Sequence, residues 1–496
     1  MAGTNRPRGS GTDLYRYRHP GSSHGDDRHG RPLHRLGRRP RSRAQHRCNR
    51  FERPHRKPPP LARPAFLHRR RWDLSQPQLS QRCQQGLAGP RIVSIPPGKP
   101  FFHASTTRAG RTMPLRLGVL LPDSTFIPRF GKGYLHALKS GFARQGMAPD
   151  LAIAHCGYNA NTDELIRAAA KLVVEQDVHA VVAPLNPRMA GRIGAPFIHN
   201  GVPLIAHHLG EDLLAFEDRF DGLFLHGGNA WLCQWMSGHW AGSHLGPRGV
   251  SFAALHDGGY AMQSAFAKGF QAAGGTLIGS RVTHSQRWHE DCSPLLDEAC
   301  GETPDLLVGL YSGRTATSFL SHFDEGTRHG IPLIANHGML TPEVLSEVGQ
   351  QALGIHSVAL WDLGDEPPET GDFVADFKRT IGRSPDGHAL MAFESALMLG
   401  AAAKGFGNTE FTPEALRGSL IQTQVIGPRG AIRVDAGEIT PATTTCALFR
   451  VEKNGAGQID NLRVRNLEIP EGYQAAYAAA RDNPLKGGWL NPYLVG

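Results

Sequence analysis

Short aliphatic runs alternate with amphipathic helical patterns over most of the chain. Continuous apolar runs of this kind, separated by helices, are typical of parallel strands that are buried on both faces. The runs fall at residues 115–122, 150–155, 177–184, 202–206, 220–226, 250–255, 276–280, 305–310, 331–335 and 354–361. The pattern predicts an α/β fold with mostly parallel sheets. Such sheets bind ligands beyond the carboxyl ends of their strands, so the turns after these runs are the candidate site.

The region from residue 114 to about residue 465 is too long for one compact unit, so we expect two lobes. Helical periodicity separates the strands and predicts helices at 131–146, from 161 onward, and at 260–273, 315–325, 372–381 and 388–404. Residues 430–465 have the character of hairpins, and residues 466–496 predict a loosely packed tail. Trp231, Trp235 and Trp240 have helical spacing and are expected in the core.

Charge divides the chain into two unlike parts. The net charge of the 496 residues is +10, but residues 1–112 hold 25 Lys and Arg against 5 Asp and Glu, which leaves 29 against 39 in the rest. With few aliphatic residues and no sustained period, this basic segment predicts a disordered extension. One explanation is a misassigned start, with Met113 as the true first residue; the other is a basic arm for nucleic acid or an acidic membrane.

Targeting signals and cysteine pairs give little guidance. Residues 1–112 hold no apolar core typical of a secretory signal, and no apolar run is long enough to span a membrane. The seven cysteines include no C-x-x-C pair, and their odd total fits no disulfide framework. Cys292 and Cys300 would either bridge a surface loop or remain two separate thiols.

Five strings, in the same order along the chain, resemble the type I periplasmic binding proteins of the branched-chain amino acid and amide branch. The likeness covers about residues 114–460. The strings are residues 161–184, Ala254-Leu-His-Asp-Gly-Gly-Tyr260, residues 373–385, Met391-Ala-Phe-Glu394 and residues 427–435.

The resemblance implies two Rossmann-like lobes that are joined by three crossings and close on a small ligand. It implies the solute-binding component of an ABC importer for an amino acid, amide or related small organic acid. The expected partners are that ligand and an ABC permease complex, with no nucleic acid, no membrane span and no cofactor. The implied first lobe comprises residues 113–228 and 361–426, and the second comprises residues 229–360 and 427–465.

The family binds its ligand in the first-lobe turns after strands three and four, where helix N-termini present free N–H groups. Here these turns carry Asn186, Arg188, His207 and His208, and they depart from the family's small and hydroxyl residues. The histidines would form a polar wall, or a metal site with His226 or His256; adjacent histidines in a strand point apart, which counts against a metal. They also predict weaker binding of a cationic ligand below pH about 6.5.

Other cleft-facing turns supply further candidates for ligand contact. Tyr260 lies where the family places an aromatic clamp. Ser124 and Thr125 follow the first strand and would either contact the ligand or cap a turn. The remaining candidates are His226, Tyr311, Ser312 and Asn336.

The chain holds no G-x-G-x-x-G, phosphate-loop, G-x-S-x-G or H-E-x-x-H motif, so we expect no enzyme. The alternative to transport is a cytosolic ligand sensor with the same fold, acting through a regulatory partner. The resemblance implies the periplasm, whereas a real absence of a signal peptide would favour the cytoplasm.

Overall fold

The computed structural model describes residues 115–124, 127, 129–157, 161–210, 212–215, 218–255, 259–284, 290–323, 330–364, 368–407, 409–441 and 445–483. The predictions for residues 1–112, for Thr125 and for His256 fall outside these residues.

The first sheet is mostly parallel and has the order β11-β12-β13-β5-β4-β3-β1-β2, with strands numbered along the chain. Its strands are β1 (Arg116–Leu121), β2 (Asp150–His155), β3 (Ala180–Pro184), β4 (Leu204–His208), β5 (Leu223–Gly227), β11 (Gln424–Gly427), β12 (Gly430–Asp435) and β13 (Glu438–Pro441). β1 to β5 pair in parallel. β11, β12 and β13 form an antiparallel meander, and β13 pairs with β5 in parallel.

The second sheet has the order β15-β14-β10-β9-β8-β6-β7. Its strands are β6 (Arg248–Ala254), β7 (Thr276–Thr283), β8 (Leu306–Leu310), β9 (Leu333–Asn336), β10 (His356–Ala359), β14 (Cys446–Lys453) and β15 (Ile459–Leu467). β6 to β10 pair in parallel, and β14 lies antiparallel between β10 and β15.

Helices cover both faces of each sheet, as the aliphatic runs predicted. They are α1 (Phe130–Arg144), α2 (Thr162–Ala170), α3 (Pro187–Arg192), α4 (Ala195–Asn200), α5 (Ala230–His244), α6 (Gly259–Ala272), α7 (Ser293–Gly301), α8 (Gly313–Ser321), α9 (Pro342–Val348), α10 (Pro368–Ile381), α11 (Gly387–Lys404), α12 (Pro413–Gln422) and α13 (Gly472–Asp482). Shorter helical turns are Lys171–Glu175, His337–Leu340 and Gly349–Ala352. No helix in the described ranges is long and apolar enough to cross a bilayer.

Among the described elements, the chain crosses between the two lobes three times: from β5 to α5, from β10 to α10, and from β13 to β14. The last passage corrects the expected boundary at residue 427, because β12 and β13 belong to the first sheet and the chain leaves it only after Pro441. Ile432 and Ile439 are buried in the core of the first lobe. An apolar strand pattern alone does not tell which of two sheets a late hairpin joins.

The segment expected to be a loose tail instead begins with ordered structure. β15 extends to Leu467, and α13 follows it. Tyr473 of α13 is buried, and its ring lies 6.0 Å from that of Trp231 and 5.4 Å from that of Trp235. Trp231, Trp235 and Trp240 are buried, as their spacing predicted, and α13 covers the first two.

α11 organises the core of the first lobe. It is apolar on nearly every side and is buried over almost its whole length, because α1 and the first sheet pack around it. Glu394 is an exception to this apolar composition. Asp386 begins α11 by accepting a hydrogen bond from the Ala389 N–H at 3.0 Å.

Cys292 and Cys300 are not joined by a disulfide. Cys292 directly precedes α7, and Cys300 lies near its last turn. Eight residues of α-helix separate two Cα atoms by about 12 Å, whereas a disulfide needs them within about 7 Å. Helix α7 thus explains why these two residues remain separate thiols.

Candidate functional site

Away from the crossings, a hydrogen bond joins the two lobes. Glu343, in the first turn of α9 in the second lobe, accepts a hydrogen bond from the backbone N–H of Ser384 at 2.7 Å. Ser384 lies in the first-lobe loop between α10 and α11, and it is buried. The loop is held locally by an Arg383–Asp386 ion pair at 2.8 Å. We call the Glu343–Ser384 contact the latch.

The turn after β3 holds an ion pair. Asn186 accepts the Arg188 N–H at 2.9 Å, which begins α3, and its amide donates to Asp212 at 3.2 Å. Arg188 donates to the same carboxylate through Nε and Nη2, both at 2.6 Å. Burial raises the pKa of Asp212, although the charge of Arg188 opposes this shift. Asp212 was not among the predicted site residues. Its one signal in the sequence was its place as an acidic residue shortly after β4.

The two histidines of β4 point to opposite faces of the sheet. β4 extends through both residues, so His207 faces α11 while His208 faces away. His208 accepts the Gly210 N–H at 3.0 Å on Nδ1, and burial lowers its pKa to about 3. Its ring fits beside Gly227, where a Cβ would lie 2.9 Å from Cε1 of His208.

His207 and His226 belong to a buried chain of hydrogen bonds instead of the cleft. His207 Nδ1 lies 2.7 Å from Tyr134 Oη, and its Nε2 lies 2.8 Å from Ser395 Oγ. His226 Nδ1 lies 2.8 Å from the same hydroxyl, and its Nε2 lies 3.0 Å from Glu394 Oε2. Both histidines are fully buried, which differs from the cleft-facing position expected from the sequence.

One set of tautomers satisfies all four bonds of this chain. Tyr134 donates to His207, His207 donates to Ser395, Ser395 donates to His226, and His226 donates to Glu394. Burial lowers the pKa of both histidines, which keeps them neutral. A pKa below the usual value moves the protonation of these rings to lower pH, so a loss of binding through them would begin below pH about 6.5.

Ser395, His226 and Glu394 have the order of a hydroxyl, an imidazole and a carboxylate, as in a catalytic triad. None of the three side chains is exposed to solvent, so a substrate cannot reach the hydroxyl. A nucleophile requires such access. We therefore interpret the arrangement as structural.

Arg429 completes this cluster from the turn between β11 and β12. Its Nε donates to both oxygens of Glu394 at 3.1 and 3.0 Å, and its Nη2 donates to Oε2 at 2.6 Å. Burial raises the pKa of Glu394, but the charge and hydrogen bonds of Arg429 outweigh burial and leave it lowered. Glu394 is therefore an ionised carboxylate inside the lobe.

The corresponding edge of the second lobe is built from hydroxyl, imidazole and amide groups. Tyr311 Oη lies 2.8 Å from Thr283 Oγ1, which lies 2.7 Å from His284 Nδ1. The Tyr311 N–H donates to Asn336 Oδ1 at 3.0 Å. Tyr311 is fully buried and Asn336 nearly so, which corrects the expectation that they line the cleft. Ser312, at the start of α8, remains partly exposed.

Two more candidates lie in turns. Ser124 accepts the Ile127 N–H at 3.0 Å, which is the turn-capping alternative of the sequence analysis, and it remains partly exposed. Tyr260 lies at the start of α6, but its side chain falls outside the described part of the structure.

The family model described as periplasmic binding protein matches residues 114–456. The chain belongs to the periplasmic binding protein family. This confirms the resemblance and the two-lobe α/β fold. Comparison with curated proteins gives no match.

Solved structures share the fold across the body of the chain. An ABC transporter substrate-binding protein from Sphaerobacter thermophilus has 23% identity and a TM-score of 0.62, over 71% of this chain and 98% of that one. A solute-binding protein from Rhodopseudomonas palustris, in complex with 3,4-dihydroxybenzoic acid, has 18% identity and a TM-score of 0.60, over 73% and 99%. A leucine-binding protein from Thermotoga maritima has 17% identity and a TM-score of 0.55, over 71% and 99%.

Proposed function

We propose that this protein captures a small organic carboxylate between its two lobes in the periplasm and delivers it to an ABC importer. The observation that carries the proposal is the family match, which spans strands of both sheets and all three crossings. In this fold, binding energy drives closure of one lobe on the other around the ligand. None of the comparisons favours the cytosolic sensor.

The chemistry of the ligand follows from two lines of support. Structures of the same fold hold benzoate, 4-hydroxybenzoate, 3,4-dihydroxybenzoic acid or isoleucine, each of which has a carboxyl group on a small apolar body. In this chain, Arg188 lies in the first turn of α3, which directly follows β3. A guanidinium has five donors in a fixed fork, so one side chain can serve Asp212 and a ligand carboxylate together.

The uncharged groups would complete the site. We assign ligand contacts to Ser124 and Ser312, whose side chains remain partly exposed on the two lobes. His208 stays neutral because burial lowers its pKa to about 3, so it would contribute polarity without charge. Thr125 and Tyr260 remain candidates from the sequence.

A thermal-shift panel with the full chain tests the proposal. The panel contains benzoate, hydroxybenzoates, leucine, isoleucine and their amides. A ligand at 100 times its Kd should add about 2.7 kcal/mol to the free energy of unfolding, which raises Tm. Acids that raise Tm while their amides do not would support a carboxylate site, and a flat panel from folded protein would contradict it.

Two variants on one helix sharpen the test. Arg188→Gln removes the proposed carboxylate donor, and Arg192→Gln removes an exposed arginine one turn later on α3. Loss of a charge-assisted hydrogen bond should weaken binding by about 10- to 150-fold for Arg188→Gln. Arg192→Gln should bind like the natural protein; equal affinities for both variants would remove Arg188 from the site.

A further inference from the structure

Arg429 connects the buried cluster to the first crossing. Besides its bonds to Glu394, the guanidinium donates through Nη1 to the backbone carbonyl of Gly227 at 2.9 Å. Its Nη2 lies 2.8 Å from His226 Nε2 because both groups donate to Glu394 Oε2. Gly227 is the last residue of β5, directly before the chain enters the second lobe. One side chain thus binds the helix α11, the strand β5 and the start of the crossing.

Burying the charges of Arg429 and Glu394 is energetically unfavourable, so the presence of this pair needs an explanation. The side chains of Arg429 and Glu394 are 2% and 0% exposed. A buried ion pair contributes little net stability over apolar residues of the same volume, so stability alone is a weak reason for its presence. The rigid fork of a guanidinium instead fixes the relative positions of several acceptors at once.

The first crossing is also bonded to the loop after β4. The N–H groups of Gly228, Ala230 and Trp231 donate to the carbonyls of His208, Leu209 and Gly210 at 2.9, 2.9 and 2.8 Å.

The two segments approach so closely that glycine is required at two positions. A Cβ on Gly228 would lie 2.7 Å from the Leu209 oxygen, and a Cβ on Gly210 would overlap the backbone of Asn229. The crossing and the loop after β4 therefore form one bonded unit.

We infer that Arg429 is a positioning residue that locks the first crossing to the first lobe. Residues 227–231 and the loop 208–210 then move with the first lobe as one body. Rotation of the lobes is left to the other two crossings, between β10 and α10 and between β13 and β14. The consequence of this lock for ligand binding rests on the proposed function, but the test of the lock requires no ligand.

Hydrogen exchange of the full chain, followed by mass spectrometry, tests this inference. In the natural protein, peptides covering residues 228–231 should exchange more slowly than peptides covering residues 360–364. Arg429→Lys keeps the positive charge near Glu394 but loses the fork that also binds Gly227. We expect exchange at residues 228–231 to accelerate by about tenfold or more, as in a local opening. Exchange in β8 should not change.

The control is Arg433→Lys on the neighbouring strand β12, where the side chain is about half exposed. It should leave exchange at residues 228–231 unchanged. An equal acceleration across all peptides of Arg429→Lys would indicate general destabilisation and overturn the inference. If Arg429→Lys fails to fold, exchange in the natural protein decides the question. Faster exchange at residues 228–231 than at residues 360–364 would overturn the inference. A flat ligand panel would contradict the proposed function but not this inference.

Discussion

The first crossing and the latch both connect the two lobes, but they are built from different chemistry. At the first crossing, a buried Arg429–Glu394 pair and three backbone hydrogen bonds join the chain to the first lobe. At the latch, a single hydrogen bond joins Glu343 to the Ser384 N–H. Separating two buried charges is energetically costly because the surrounding protein does not solvate them. A hydrogen bond between the lobes costs less to break, because water replaces the lost partner. The comparison indicates a rigid connection at the first crossing and a releasable contact at the latch.

The largest effect is expected from breaking the buried Arg429–Glu394 pair at the first crossing. Arg429→Met leaves the carboxylate of Glu394 buried without its cation, which should lower the free energy of unfolding by about 3–5 kcal/mol. Urea unfolding at pH 7 measures this change. The double variant Arg429→Met/Glu394→Leu removes both charges and should recover most of the loss. A double variant as unstable as the single one would show that the pair contributes net stability.

The pH dependence of stability should come next in size. Burial lowers the pKa of His208 to about 3, whereas it is about 6.5 in the unfolded chain. The unfolded state therefore binds the extra proton, and stability that is full above pH about 6.5 is lost as the pH falls toward 3. His208 alone should lower the free energy of unfolding by about 2 kcal/mol between pH 7 and pH 5.

Urea titrations at the two pH values measure this loss, with His208→Gln as the control. That variant lacks the titrating ring and should lose less stability between pH 7 and pH 5. Equal losses in the two proteins would mean that His208 is not the group responsible. Other histidines with lowered pKa, His207 and His356 among them, would add to the total in both proteins.

A smaller effect is expected in the hydroxyl network around Tyr311 in the second lobe. Tyr311→Phe removes the hydroxyl that lies 2.8 Å from Thr283 Oγ1, but Thr283 keeps its contact with His284. The free energy of unfolding should fall by about 1 kcal/mol, the typical value for one hydrogen bond between neutral groups. Urea unfolding measures it. A loss above about 3 kcal/mol would mean that the two lobes do not differ in the cost of removing a polar group.

The sequence was informative about the strands and much less so about the site. Aliphatic runs located the parallel strands because burial on both faces demands continuous apolar residues. His207 and His226 were misplaced because each strand extends through its histidine, which turns the ring toward α11 instead of the cleft.

The partners of these histidines are far away along the chain. Glu394 lies 168 residues from His226, and Arg429 lies 203 residues from it. One signal was present in the sequence: Glu394 is an acidic residue in the middle of a helix that is otherwise apolar, which indicates a buried and paired charge. Its cationic partner could not be identified without the fold, because strand pairing brings the β11–β12 turn to this helix.

The smallest effect on stability, and the most direct test of the comparison, is expected at the latch. Glu343→Ala removes the acceptor of the Ser384 N–H, but water replaces it when the lobes separate, so the free energy of unfolding should change by less than about 0.5 kcal/mol. The lobes should nevertheless separate more often, which raises the radius of gyration of the ligand-free protein in small-angle X-ray scattering. Affinity should fall about two- to tenfold, because closure then gains one hydrogen bond fewer. Glu347→Ala is the matched control: Glu347 lies one turn later on α9 and faces Thr317 of its own lobe at 3.5 Å, so its removal should leave the radius unchanged. If the two variants have the same radius, the latch does not hold the lobes together.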